Sequence, residues 1–152
     1  MCIRDRCSIL RSTQKTPEMW TTEDIDNILH NGDMLYKHIG KAGRLLPSDL
    51  PKCTVIDGVK YHLSEIQSYL GSFTSQREEF RVHTLDVLRE AVVAHNMFVL
   101  CIGDSAISIT QTTDMKYYIF DSHSRNIAGF PTPNGTAAVS YTHLTLPTKR
   151  IV

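Results

Sequence analysis

Three apolar segments follow one another late in the chain with short turns between them, and this order restricts the fold more than any other feature. The segments are residues 97–102, 106–109 and 117–120. Gly103-Asp104 and Asp114-Met115 stand between them, and each pair is predicted to form a turn. Consecutive strands joined by turns this short pair with their neighbours in antiparallel fashion. The sequence therefore predicts an antiparallel meander.

Helical patterns come before these strands. Thr22-Glu23-Asp24 supplies a hydroxyl N-cap and first-turn acids, which suit the positive end of the helix dipole. The apolar spacing continues to Ile39, with Asn31-Gly32 as a candidate break. Residues 8–14 have the pattern of the end of another helix, and residues 84–94 have an apolar face typical of a further one.

A hairpin is indicated in the middle of the chain. Asp57-Gly58 is a turn pair favoured in two-residue hairpin loops, and it lies inside the strand-like segment 55–63. Helices in the first part of the chain and consecutive strands in the last part predict an α+β fold, with helices packed on an antiparallel sheet.

The two ends of the chain can be encoded by one stretch of DNA read in opposite directions. Codons that give residues 1–6, when reverse-complemented, give residues 138–143. Such an inverted repeat resembles the mosaic end of a transposase-based sequencing adapter. We therefore expect residues 1–6 and 139–152 to be adapter-derived and residues 7–138 to be one domain, truncated at both ends. We also expect the two end segments not to pack on that domain, because nothing selected them to fit it.

Charge and cysteine usage limit the partners. Excluding the ends removes four basic residues and one acidic residue, which leaves 12 basic and 15 acidic side chains in residues 7–138. A protein that binds a phosphate backbone needs a basic patch, so we expect no nucleic-acid partner. No apolar run approaches the ~20 residues of a membrane span, so we expect no membrane partner. Cys7, Cys53 and Cys101 are scattered, which favours a reducing intracellular compartment, the cytoplasm or the nucleus.

Asp121 and His123 end the third strand of the meander. Side chains at i and i+2 of a strand lie on one face, so the carboxylate and the imidazole can meet. A carboxylate fixes the tautomer of an imidazole and stabilises the imidazolium, as a general base requires. On the pattern alone, such a pair is more often a turn with an incidental hydrogen bond. A metal pair is less favoured because no third ligand stands at a supporting spacing, and we expect no metal and no cofactor.

The segment YYIFDSHSRNIAGFPTPNGTA that contains this pair resembles a block of the papain-like cysteine peptidases of the herpesvirus large tegument protein type. This is a deubiquitinating class, also found in virus- and transposon-associated proteins. Residues 20–26, 32–36 and 46–51 are similar to the same group, so the likeness spans nearly all of residues 20–136. The resemblance implies a papain-like fold and hydrolysis of isopeptide bonds of ubiquitin or a ubiquitin-like protein. It also implies that His123 is the catalytic base and that Asp121 orients it.

The resemblance further implies a nucleophilic cysteine near the start of the first helix, directly after a Gln. A helix N-terminus lowers the pKa of a thiol, which explains that placement. Here the expected position falls just upstream of Cys7, close to Cys2, and no Gln-Cys pair is present. Cys7 itself is expected to be a buried helix residue. We therefore expect the chain as given to be inactive. The alternative is a non-catalytic binding or scaffold domain of a viral or mobile-element polyprotein.

Overall fold

The computed structural model describes residues 3–43, 45, 47–62, 84–102, 105–126, 128 and 130–142. Two sheets and three α-helices occur in this part of the chain, in the order α1 (Ile3–Ser12), α2 (Thr22–Ile39), β1 (Cys53–Ile56), β2 (Val59–His62), α3 (Thr84–Ala94), β3 (Met97–Ile102), β4 (Ser105–Gln111), β5 (Tyr117–Arg125) and β6 (Thr136–Thr142). Strands β1 and β2 form a hairpin, and β3 to β6 form a four-stranded antiparallel sheet in chain order. The α+β class predicted from the sequence is confirmed.

Helix α2 begins one residue earlier than the sequence suggested, with Thr21 as its N-cap. The Thr21 side chain accepts a hydrogen bond from the amide of Asp24, and the Asp24 carboxylate accepts one from the amide of Thr21. This reciprocal capping box satisfies two of the backbone donors that a helix start leaves unpaired. The candidate break at Gly32 does not occur. A Cβ at Gly32 would lie 2.9 Å from the Cα of Arg4, so the close approach of α1 and α2 requires glycine there.

The predicted hairpin and meander are also confirmed. Asp57 and Gly58 have φ angles of 51° and 77°, the left-handed conformation that a type I′ turn requires. Strand β4 pairs with β3 on one side and with β5 on the other. The turn predicted at Gly103-Asp104 lies outside the described residues. Strand β6 was not predicted, because most of its residues fall in segment 139–152, which we expected to be adapter-derived and not part of the domain.

Helix α1 covers one face of the four-stranded sheet. The hydroxyl of Ser8 hydrogen-bonds that of Ser108, and the hydroxyl of Ser12 lies 3.1 Å from that of Thr110. Phe120, the partner of Ser108 in β5, lies on the same face and belongs to a core with residues of α1 and α2. The buried members of this core are Ile3, Cys7, Leu10, Ile28, Leu35, Leu45, Leu50, Ile56 and Phe120.

The other sheet face carries a second, smaller cluster. Ile109 and Tyr117 alternate with the residues that face α1, and they pack with Val92 of α3. The four-stranded sheet therefore separates two apolar clusters, one beneath α1 and the other beneath α3.

The expectation that the end segments do not pack on the domain is wrong for residues 3–6 and 139–142. Ile3 and Arg6 are each 5% exposed, and Ile3 belongs to the core. Val139 pairs with Phe120 and packs against the same core. Packing depends on side-chain shape and not on the source of the codons, so the adapter origin of these segments stays a separate prediction. Residues 1–2 and 143–152 lie outside the described residues.

A buried carboxylate links α1 to α2. Asp24, whose side chain is 6% exposed, lies 2.5 Å from both the Arg11 guanidinium and the Lys15 ammonium. Hydrogen bonds from Lys15, from the Thr21 amide and from Arg11 hold the pKa of Asp24 well below its usual range. The helix N-terminus on which Asp24 sits also favours negative charge. This ion cluster therefore fixes the start of α2 against the end of α1.

We expect Ile3→Ala to lower the free energy of unfolding by about 2–4 kcal/mol, because it leaves a cavity in the core beneath α1. Urea denaturation monitored by circular dichroism measures the change. Val93→Ala is the control, because Val93 is 84% exposed and its truncation should stay within about 0.5 kcal/mol of the parent. An Ile3→Ala variant as stable as the control would show that α1 does not begin in the core.

We expect Asp24→Asn to cost about 2 kcal/mol at pH 7, because it removes charge-assisted hydrogen bonds to Arg11 and Lys15. The folded-state pKa of Asp24 is depressed, so this contribution is fully present above the unfolded-state pKa of about 3.9. It declines as the pH falls below that value and is lost as the pH falls through the depressed folded-state pKa. The difference in unfolding free energy between the two proteins should therefore shrink from pH 7 to pH 2, and a difference independent of pH would contradict the ionic assignment.

Candidate active site

Strand β5 contains an irregularity at the segment that carries the predicted site residues. Asp121 pairs with Ala138 of β6, whereas Arg125 pairs with Thr136, so three residues of β5 oppose a single residue of β6. A bulge of this kind bends the strand and re-aims its side chains, and bulges are frequent next to active sites. The predicted site therefore lies beyond residues 117–120, the part of β5 that pairs with β4, and its ladder partners lie in β6.

The Asp121 carboxylate organises the bulge through both of its oxygen atoms. Oδ1 accepts a hydrogen bond from the His123 amide at 2.9 Å and lies 2.6 Å from Nδ1 of the His123 ring. Oδ2 accepts a hydrogen bond from Nε of Arg125 at 2.7 Å. A carboxylate that accepts from the amide two residues later forms an Asx turn, which offers the backbone an alternative to the sheet ladder. The predicted contact between Asp121 and His123 is thus present, and a local turn produces it.

The protonation pattern of the pair follows from its surroundings. Partial burial acts to raise the pKa of Asp121, but hydrogen bonds from the amide and ring of His123 and from Arg125 outweigh it and hold that pKa below its usual value. An ionised carboxylate can only accept hydrogen bonds, so Nδ1 of His123 carries a proton. In the neutral ring Nε2 then has a free lone pair. The His123 side chain is 38% exposed, so a reacting group can approach the ring.

Helix α1 points toward this end of β5 but covers the opposite face of the sheet. Ser8 lies opposite Ser108 and Ser12 opposite Thr110, so lower numbers in α1 lie nearer the bulged end of β5. The face that α1 covers is that of Phe120, and the next residue, Asp121, projects from the other face. The resemblance implies a nucleophile near the start of the first helix, which would have to approach His123. The direction of α1 fits that requirement, but the sheet face that α1 covers is not the face of Asp121.

The cysteines that the structure describes do not lie beside the pair in the sheet. Cys7 is 1% exposed in the core beneath α1, so the prediction that it is buried is confirmed. Cys53 lies in β1 of the separate hairpin, and Cys101 lies in β3, which β4 separates from β5. Cys2, nearest to the expected nucleophile position, lies outside the described residues.

The described residues show neither a metal-binding cluster nor a membrane-spanning helix. They hold no group of three or more His, Cys, Asp or Glu side chains that could bind a metal ion. None of their helices is both long enough and apolar enough to cross a membrane.

Arg125 is a site residue that the sequence analysis did not single out. Its side chain and that of Asp121 are each only 16% exposed, so the ion pair is largely shielded from water. The backbone of Arg125 is held by Gly135, where an added Cβ would lie far inside van der Waals contact with Arg125 backbone atoms. The available signal was its place in the segment Asp-Ser-His-Ser-Arg, two residues after His123.

The loop between β5 and β6 is built around Asn126. Its side-chain oxygen accepts hydrogen bonds from the amides of Ala128 and Phe130, each at 3.0 Å. Ser124 and Thr132 add two bonds across the loop, one from the Ser124 hydroxyl and one from the Thr132 amide. Phe130, 66% exposed, is thereby held at the tip of a loop that begins next to the Asp121–His123 pair.

Comparison with known proteins assigns the family. Residues 7–148 match the model of the herpesvirus tegument protein, N-terminal conserved region. The match covers most of the chain, and the chain therefore belongs to this family. The candidate site of this family member is a bulged strand in which Asp121 holds both His123 and Arg125. A search of curated protein sequences gives no match.

We expect Gly135→Ala to lower the free energy of unfolding by about 1–3 kcal/mol, because the new methyl group collides with the Arg125 backbone. Ser140→Ala, at an exposed position of the adjoining strand β6, should change it by less than about 0.5 kcal/mol. Chemical denaturation measures both. Amide chemical-shift changes in Gly135→Ala should concentrate at residues 121–126 and 130–136, and changes spread evenly over the chain would contradict this assignment.

Proposed function

We propose that this chain is part of a cysteine peptidase domain that hydrolyses isopeptide bonds of ubiquitin or of a ubiquitin-like protein. The observation that carries the proposal is the 2.6 Å contact between Oδ1 of Asp121 and Nδ1 of His123, which leaves Nε2 of His123 as a base. Membership of the herpesvirus tegument N-terminal family supports a domain of a viral protein as the setting. A papain-like arrangement of helices on an antiparallel sheet is part of the same proposal.

The proposed reaction is an acyl transfer. A thiolate, formed when Nε2 of His123 takes the thiol proton, attacks the isopeptide carbonyl carbon. His123 then gives that proton to the departing lysine amine as the carbon–nitrogen bond breaks, and a thioester remains. Water, deprotonated by the same ring, hydrolyses the thioester and regenerates the thiol. Asp121 keeps the ring in the required tautomer and stabilises its charged form.

The thiol in this proposal precedes Cys7. Cys7 is enclosed by the core, so it is a poor candidate for attack on a protein substrate. Because α1 points toward the bulged end of β5 on the other sheet face, a thiol ahead of α1 would reach His123 across the end of the sheet. The chain as given is therefore proposed to be inactive. We place the activity inside the cell, in the cytoplasm or the nucleus, where thiols stay reduced, and Cys7, Cys53 and Cys101 form no disulfide.

A non-catalytic binding or scaffold domain is the second candidate. The observation that favours it is that the contacts of Asp121 with His123 and Arg125 also explain the bulge, so the cluster has a structural role without any chemistry. The two candidates differ in one property, which is the presence of a reactive thiol that depends on His123.

The test uses a ubiquitin-based thiol probe and a ubiquitin C-terminal fluorogenic substrate. We expect no reaction with the chain as given, and both labelling and turnover once the parent protein's own residues precede Cys7. In that longer protein, His123→Ala should lower kcat by about 10³-fold or more, because base and nucleophile act as a unit. Asp121→Asn should also impair turnover, by disturbing the ring tautomer.

His62→Ala is the matched control, because His62 is an exposed histidine in the separate hairpin and should leave turnover unchanged. Labelling of the chain as given would identify Cys2 or Cys7 as the nucleophile and contradict the proposal that this chain is inactive because its nucleophile is missing. No labelling of the longer protein, with the fold intact, would favour the binding domain.

A further inference from the structure

We infer that Arg125 is a positioning residue of the Asp121–His123 pair, because it holds one carboxylate oxygen so that the other is presented to the imidazole. The observation is the division of contacts at Asp121. Oδ2 accepts from Nε of Arg125 at 2.7 Å, while Oδ1 serves the amide and ring of His123. The importance of this arrangement for catalysis rests on the proposed function, whereas the arrangement itself does not.

The need for an anchor comes from the flexibility of the carboxylate. The last torsion of an aspartate side chain is a broad, roughly two-fold rotor, so His123 alone would leave the carboxylate plane loosely fixed. A second donor on the other oxygen fixes that plane. Arginine suits this task because its planar guanidinium presents Nε–H in a rigid direction and keeps its charge at every physiological pH.

The Arg125–Asp121 ion pair is more shielded from water than the arginine–aspartate pair on the surface of α3. Arg125 and Asp121 are each 16% exposed, whereas Arg89 and Asp86 of α3 are 48% and 51% exposed. Exposed pairs are weakened by water and by side-chain entropy, and shielded pairs are weakened less. Gly135 adds a second restraint, because its lack of a side chain lets β6 hold the Arg125 backbone closely. Arg125 is therefore fixed at both its backbone and its guanidinium.

The experiment observes the ring directly in the folded chain, by nuclear magnetic resonance of protein labelled with ¹⁵N-histidine. The signal of His123 among the seven histidines is identified by its loss in His123→Gln. We expect a downfield Nδ1–H signal in the unchanged chain, because a carboxylate holds that proton. In Arg125→Gln we expect its exchange with water to become at least ~10-fold faster, because the carboxylate loses its fixed orientation.

Two variants control the measurement. Arg89→Gln removes an arginine from an exposed pair and should leave the His123 signal unchanged. Arg125→Lys keeps the charge without the rigid direction of Nε–H and should give an intermediate exchange rate. The inference would be overturned if the Nδ1–H proton of His123 exchanged with water at the same rate in Arg125→Gln as in the unchanged chain. It would also be overturned if Arg89→Gln changed that rate as much as Arg125→Gln does.

A measurement on the unchanged chain covers the case in which Arg125→Gln does not fold. The Nε–H proton of Arg125 should exchange at least ~10-fold more slowly than that of Arg89, because it is bonded to a shielded carboxylate. Equal rates would overturn the inference. None of these signals requires a nucleophile. Failure of the peptidase assay with the signals intact would therefore remove the proposed function and leave Arg125 as the residue that orients Asp121.

Discussion

The burial of helix α1 between α2 and the four-stranded sheet is the constraint on which the rest of the structure depends. Seven of its ten residues are buried, and they include polar as well as apolar side chains. Two of the polar ones pair with hydroxyl groups of the sheet, Ser8 with Ser108 and Ser12 with Thr110. Hydroxyl pairs of this kind satisfy groups that would otherwise be costly to bury, and they fix the helix along the strand direction. The position of α1 in turn decides which end of the sheet its N-terminus approaches.

The contacts of the Asp121 carboxylate stabilise the bulge in β5, and they also set the protonation of the His123 ring. The carboxylate accepts hydrogen bonds from the amide and ring of His123 and from Arg125, and these bonds stabilise a bulge in an otherwise paired strand. The same bonds hold its pKa low and set the tautomer of the ring. A base for acyl transfer and a structural turn therefore need the same arrangement here. The thiol is what separates the two functions, and the described cysteines do not supply one next to His123.

Much of the fold follows from local patterns. The bounds of α3, the hairpin turn at Asp57-Gly58 and the order of β3, β4 and β5 agree with the sequence analysis, since each depends on short-range periodicity or on turn residues. Strand β6 and the first turn of α1 were missed for a different reason. Residues 3–6 and 139–142 were expected not to pack because adapter DNA can encode them. Their packing depends instead on side chains such as Ile3 and Val139, which lie near opposite ends of the chain and contact the same core.

The candidate site shows the same division between local and tertiary information. The sequence by itself determined that Asp121 and His123 could meet, because residues two apart in an extended segment are always close. Only the tertiary structure decided that Arg125 would join them, since the bulge that brings it there depends on pairing with β6 and on Gly135. Only the tertiary structure decided, too, that α1 and Asp121 lie on opposite sheet faces. Side-chain alternation fixes which residues share a face, but the choice of face for a helix is made by long-range packing, which no local pattern contains.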